Sequence, residues 1–218
     1  MAEYISFSSR YRVEHLQEQL AYRYILSDFI EVENADQVNV EDYDKLVIYR
    51  CRKSNKLDIL INKFKEDYKE VLYDIDDYIF DYKAISELPF LKDEEYKDFE
   101  KYSNDIHACM DIVDGFITST QNMVDVISRE FVSKKVILNR NIASAEMLIN
   151  SLRVKNNAKR HDRVVLGYFS GSKTHDGDFM LISDIILKLL EEYDNLYLEI
   201  GGCLQLGKNY DQFLDRIE

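Results

Sequence analysis

Apolar residues along this chain recur with two periods. Short continuous or alternating runs, the mark of strands, interleave with segments in which apolar positions return every three or four residues, the mark of helices. The runs "YISF" (4–7), "DFIEV" (28–32), "KLVIYR" (45–50), "EVLYDI" (70–75), "GFITS" (115–119) and "KKVILN" (134–139) predict strands. Between them, Val13, Leu16 and Leu20 predict one helix, and Leu57, Leu60, Ile61 and Phe64 share one face of another. Helical patterns also occupy "EEYKDFEKYSNDIHACMDIVD", "QNMVDVISREF" and "SAEMLINSLRV". A longer connection carries the only proline, Pro89.

Strands alternating with helices imply βαβ units and a mainly parallel sheet. Repeated right-handed crossovers then give a doubly wound, Rossmann-like α/β sheet, predicted here over residues 1–158. The polar stretch "KNNAKRHDR" (155–163) reads as a linker or exposed turn. After it the pattern restarts with "VVLGYF", a helix over 179–193, "LYLEIGG" and the helical "YDQFLDRI". Residues 159–218 therefore read as the first βαβα part of a second Rossmann-like domain. Two strands cannot cover both faces of a parallel sheet. Apolar faces are thus expected to lie exposed over 164–218.

Charge narrows the partners. The 218 residues carry a formal net charge of −13. This disfavours nucleic acid, which needs a basic face to displace counterions. A small anionic ligand held by local donors stays compatible. No apolar run has the length of a signal peptide or membrane span. Cys51, Cys109 and Cys203 lack ligand or redox spacing and read as reduced cytoplasmic thiols.

Ligands of open α/β sheets bind beyond the carboxyl ends of the strands. The residues immediately after the predicted strands include Arg10, Arg12, Arg50, Arg52, Arg140 and Lys173, which would share one rim. They suit a cleft for a polyanionic or hydroxyl-rich ligand, or they are charged loop residues of the ordinary kind. In "SGSKTHDGD", Gly171 permits close backbone approach and Ser172 and Lys173 add donors. A helix capped by Asp178 would come next, its free N–H groups favouring phosphate. The spacing matches neither the P-loop nor the dinucleotide fingerprint, so a plain βα turn is the alternative. In "YDIDDYIFD", Asp74, Asp76 and Asp77 admit a hard cation, or they hydrogen-bond the loop. His107 and His161 read as structural and solvated; His15 and His175 have access to the cleft.

Three blocks resemble bacterial glycosyltransferases of the GT-B fold, particularly the family-four (group 1) retaining enzymes of surface-polysaccharide synthesis. They are "YRVEHLQEQL", "VLYDIDDYIFD", and "GYFSGSKTHDGDF" with "LLEEYDNLYLEIGGCLQL". "DGFITSTQNMVDVI" and "KKVILNRN" fit the same order. The resemblance implies an acceptor-side domain followed by a domain that binds a nucleotide-sugar. It implies transfer of a sugar to a glycan or lipid-linked acceptor, with no bound metal or other cofactor. Gly171, Ser172 and Lys173 fall where donor phosphates are approached. Asp76 and Asp77 fall in the paired-aspartate block, as weak catalytic candidates, and Arg10, Arg12, Arg50 and Arg140 are acceptor-side candidates. Glu191 and Glu199 have the spacing of the family's two-glutamate motif, but they join a helix end to a strand instead of lying in a later loop and helix.

The chain thus reads as a glycosyltransferase or a fragment of one, its second domain incomplete and covered by self-association or a second chain. A non-catalytic binding or assembly module of the same fold is the alternative, and a metal-dependent phosphotransfer enzyme using "DIDD" a third reading. The expected location is cytoplasmic, with the helix over 55–67 either packed on the sheet or lying at the inner face of the membrane through Lys56, Lys63 and Lys65.

Overall fold

The computed structural model describes residues 1–3, 7–86, 93–157, 162–171 and 176–218. They form two compact units, Met1–Leu152 and Arg153–Glu218.

Four predicted strands of the first unit form one parallel sheet in consecutive order: β1 (Lys45–Tyr49), β2 (Glu70–Asp74), β3 (Gly115–Thr118) and β4 (Lys135–Leu138). β2 and β3, at the middle of these four, are buried on both faces, which is why they read as continuous apolar stretches, whereas β4 is only partly covered. The two earlier strand predictions shrink to single bridges. Ala2 pairs in parallel with both Glu31 and Tyr49. Tyr49 N donates to Met1 O (2.7 Å), and Val32 N to Ala2 O (2.8 Å). Of the expected strand at 4–7, residues 4–6 lie outside the described residues and Phe7 opens a helix. At 28–32 only Glu31 bridges, because the chain turns at once into a 3-10 helix, Val32–Gln37. The lateral order nonetheless reverses at Ala2: Glu31, Ala2, then β1 to β4. That reversal is compatible with a Rossmann-like sheet, whose ligand crevice lies where the order turns.

A helical stretch follows the first residues: α1 (Phe7–Ser9), a π-helical turn (Arg10–Glu14) and α2 (His15–Tyr22). Next come α3 (Asn55–Glu66), α4 (Tyr82–Ser86), α5 (Asp93–Asp111), α6 (Gln121–Glu130) and α7 (Ala145–Asn157). Ser54 Oγ accepts from Leu57 N (3.3 Å), and Thr120 Oγ1 from Met123 N (3.2 Å). These caps satisfy amide groups at the starts of α3 and α6. Leu57, Leu60, Ile61 and Phe64 pack into one core with Ile48, Tyr73, Ile106, Met110 and Phe116. Their burial rules out α3 as a membrane-lying helix. Lys56 instead bonds Asp36 (3.0 Å) and Lys65 pairs with Asp114 (3.2 Å).

The second unit holds a parallel pair, β5 (Val164–Ser170) and β6 (Leu196–Gly202), with α8 (Asp176–Glu192) and a 3-10 helix, Lys208–Arg216. Asp178 lies inside the first turn of α8, so it is not the residue before the helix. Leu196, Leu198, Phe179, Leu190, Tyr210 and Phe213 form this unit's core. β6 is flanked on its far edge by Ile217, and Glu218 N donates to Leu198 O (2.9 Å). On the other face of the pair, the Phe169 ring lies over two glycines. A methyl group at Gly201 would approach it to 2.5 Å, and one at Gly167 to 2.9 Å. Phe169, Val165, Met180, Leu181 and Ile185 are exposed, as expected for a two-stranded parallel unit.

Phe64 sits at the centre of the larger core, so Phe64→Ala should destabilise the first unit by about 3–5 kcal/mol. Urea unfolding followed by circular dichroism measures this, and a loss near zero would place Phe64 outside the core.

Candidate functional site

The candidate site lies in the first unit, at the carboxyl ends of β1, β2 and β3. The parallel register sets Tyr49 beside Asp74, and Asp74 beside Ile117. Residues just past these positions therefore share one rim.

Arg12 and Asp74 form its buried base. Arg12 Nε donates to Asp74 Oδ1 and Nη2 to Asp74 Oδ2, both at 2.9 Å. Arg12 Nη1 donates to Asn139 O (2.5 Å) and Asn141 Oδ1 (3.0 Å). Both ion-pair side chains are almost wholly excluded from solvent. Burial pushes the Asp74 carboxyl up to about 7, against the pull of the Arg12 guanidinium. Arg12, a cleft candidate by sequence, is thus committed to holding the π-helical turn against the ends of β2 and β4. Three residues on, the His15 ring, also buried, meets Ile142 O through Nδ1 (2.7 Å). Its Nε2 and Thr118 Oγ1 are buried without a partner among the described residues.

Above this base sits Arg50, the first residue after β1. Its φ of 48° is left-handed, a conformation that bulky side chains rarely adopt and that tends to collect at functional sites. Arg50 Nη2 donates to Asp77 Oδ2 (2.8 Å), and Nη1 lies 3.6 Å from Asp76 Oδ1. Nη1 also reaches Ser8 Oγ (3.4 Å), and Arg50 N donates to Asp74 O (3.2 Å). Tyr49 OH donates to Asp76 Oδ1 (3.3 Å). Burial raises the Asp76 carboxyl, opposed by Arg50 and reinforced by Asp77. Burial likewise pushes Tyr49 up to about 12, so its hydroxyl stays protonated at neutral pH. For Arg50, burial alone would lower the value, but Tyr49, Asp77 and Asp76 together raise it.

The structure therefore joins Arg50, Asp76 and Asp77 as one cluster. Arg10 and Arg140 are exposed, without an ion pair among the described residues. Arg52 turns to Glu3 (2.9 Å). Gly171 is exposed just past β5, in the second unit; Ser172, Lys173 and His175 lie outside the described residues. His107 pairs with Glu130 (2.7 Å) and Asp111 (3.4 Å). Burial pushes the Cys51 thiol up to about 12, which removes it as a thiolate nucleophile. Sequence reasoning missed Tyr49, since an aromatic in an apolar strand reads as core. Its place immediately before a rim arginine was the available signal.

Formally, three carboxylates face two guanidiniums here. The cluster keeps one formal negative charge and a surplus of acceptor oxygens, which suits hydroxyl donors better than phosphates. No group of three or more His, Cys, Asp or Glu side chains able to hold a metal ion occurs among the described residues. No family model matches the chain, and no curated protein matches it.

Removing one partner of the buried pair leaves the other uncompensated, so Arg12→Met should cost about 3–5 kcal/mol at pH 8. Because the folded Asp74 carboxyl titrates above its unfolded value, folding takes up a proton between about 4 and 7, and stability gains as pH falls through that range. Without Arg12 the carboxyl rises further and gains more on acidification. The gap between variant and parent should therefore narrow from pH 8 to pH 5 in urea titrations; a widening gap would contradict the assignment. At position 50, glycine should be more stable than alanine by about 1 kcal/mol, since only alanine is strained at positive φ. Thermal melts of Arg50→Gly and Arg50→Ala check this, and equal stability would show a relaxed backbone.

Proposed function

We propose that this protein is a glycosyltransferase, or the acceptor-side part of one, moving a sugar from a nucleotide-sugar to a hydroxyl-rich acceptor. One observation carries the reading: the Arg50–Asp76–Asp77 cluster stands where the lateral order of the parallel sheet reverses. Carboxylates fixed by an arginine and a tyrosine hydroxyl are good acceptors for sugar hydroxyls. Asp76 orients the incoming hydroxyl, and Asp77 holds Arg50 in its strained position. The blocks "VLYDIDDYIFD" and "GYFSGSKTHDGDF" support the same reading by resemblance. On it, Gly171, Ser172 and Lys173 approach the donor diphosphate, and the leaving nucleotide is stabilised by fixed dipoles and basic side chains. Arg10 and Arg140, exposed and outside the ion pairs of the rim, are left to meet the acceptor directly. No metal or cofactor enters the scheme.

A non-catalytic binding module of the same fold is the second reading. It is favoured by the mutual pairing of the rim side chains, which leaves Arg12, Arg50 and Asp77 already engaged. In either case no helix among the described residues is long and apolar enough to cross a membrane.

Titration calorimetry with a panel of nucleotide-sugars and oligosaccharides, joined to a sugar-transfer assay, separates the two. Transfer together with saccharide binding supports the enzyme; saccharide binding without transfer supports the module. Asp76→Asn should weaken saccharide binding roughly tenfold or more, as expected for a lost bond to a charged acceptor, while nucleotide-sugar binding is unchanged. Lys173→Ala should do the reverse. A chain that binds neither class of ligand would overturn both readings.

A further inference from the structure

One margin of the second unit is closed and the other is open. On the far side of β6, Ile200 N donates to Glu218 O (2.8 Å) and Glu218 N to Leu198 O (2.9 Å), so that edge is covered. β5 forms the opposite edge. At its start Val164 N donates to Asn195 O (2.8 Å), and at its end Ser170 O accepts from Cys203 N (3.4 Å). In a parallel ladder every second residue of a strand turns both its amide and its carbonyl to the neighbour. With Val164 set beside Leu196 and Ser170 beside Gly202, the residues that face β6 are Val164, Leu166, Tyr168 and Ser170. Val165, Gly167 and Phe169 turn their amides and carbonyls the other way, where they have no backbone partner among the described residues.

Edge strands of native proteins are commonly blunted by charge, proline, a bulge or short length. β4, an edge of the first sheet, is short and begins at Lys135, directly after Lys134. β5 has none of these devices. It runs for 7 residues without charge or proline, in unbroken one-to-one register with β6. Its outward residues are also open to solvent, Val165 at 40% and Phe169 at 75%, with Gly167 exposed between them.

We propose that β5 pairs with β5 of a second copy of this chain, antiparallel about a two-fold axis through Gly167, so that the two pairs join into one sheet. The outward residues read large, small, large, an order that fits its own reverse. The axis sets Gly167 against Gly167, where no side chain crowds the two backbones, and Val165 against Phe169 twice over. Every outward amide of one copy then meets an outward carbonyl of the other. Each Val165–Phe169 pair joins an aromatic to a β-branched side chain on the same face, a favourable cross-strand combination. Charge permits the approach. Arg153–Glu218 holds nine Lys and Arg against eleven Asp and Glu, so most of the chain's −13 belongs to the first unit. The pairing does not rest on the glycosyltransferase reading.

Sedimentation equilibrium of the full chain at increasing concentration, read beside amide hydrogen exchange, tests the proposal. The parent should pass from monomer to dimer. Exchange at Val165, Gly167 and Phe169 should slow as it does, while Leu166 and Tyr168, bonded to β6 in either state, change little. Val165→Pro removes an outward N–H and leaves the bonds between β5 and β6 in place. By symmetry it deletes two bonds of the dimer, and it should weaken dimerisation about tenfold or more with the circular dichroism unchanged. Val165→Lys, which puts a charge on the edge, should act in the same direction and decides the matter if the proline variant does not fold. A parent that stays monomeric overturns the proposal, as does a folded variant that dimerises as tightly as the parent. So does a dimer in which the Val165, Gly167 and Phe169 amides exchange as fast as in the monomer, since another surface would then carry the association.

Discussion

The buried pairing of Arg12 with Asp74 is the constraint around which the first unit is arranged. A guanidinium taken out of water must find acceptors for its donors, and here they come from three places in the sequence: Asp74 at the end of β2, and Asn139 and Asn141 after β4. Meeting that demand ties the helical stretch after the first residues to the carboxyl ends of two strands. It also fixes the backbone from which Asp76 and Asp77 project. The rim is thus built on a charge that is no longer available to a ligand, and its chemistry passes to the residues one layer out.

In that layer two of the arginines of this acidic protein are paired with its own carboxylates, while Arg10 and Arg140 stay exposed outside these pairs. Arg50 is held by Asp76, Asp77 and Tyr49, and Arg52 by Glu3. What remains at the surface is a set of oriented oxygens around a rigid cation. On the proposed reading, hydroxyl groups of a saccharide can bond to such a set because each hydroxyl offers both a proton for a carboxylate and lone pairs for the guanidinium. A second negative charge would have to displace carboxylates to be accepted.

Much of the fold was legible because burial leaves a direct trace in residue type. β1 to β3 are mostly buried and read as apolar runs, and α3 shows its stripe at Leu57, Leu60, Ile61 and Phe64. The sheet's other margin was over-read, because one bridge at Ala2 and Glu31 needs no strand-length apolar run, and "DFIEV" has the composition of a strand without its pairing. The candidate site was half legible. Strand ends are visible in the sequence, and with them Arg50, Asp76 and Asp77 as the residues just beyond. That Arg12 is buried while Arg10 is exposed depends on a π-helical turn, for which the sequence has no period to offer. The pairing of Arg50 with Asp77 depends on the lateral neighbours of β1, which no local pattern reveals.

The glycine trough beneath Phe169 bears on how the second unit finds its alignment. Two parallel strands with few cross-strand neighbours could slide by two residues and keep every side chain on its own face. Such a slide would bring Glu199 or Cys203 opposite Phe169 in place of Gly201, where even a methyl group would stand 2.5 Å from the ring as it now lies, so the exposed ring would have to leave its place over the strands. The glycines at 167 and 201 are what let Phe169 lie flat across the pair in the register that brings Leu196 and Leu198 to α8.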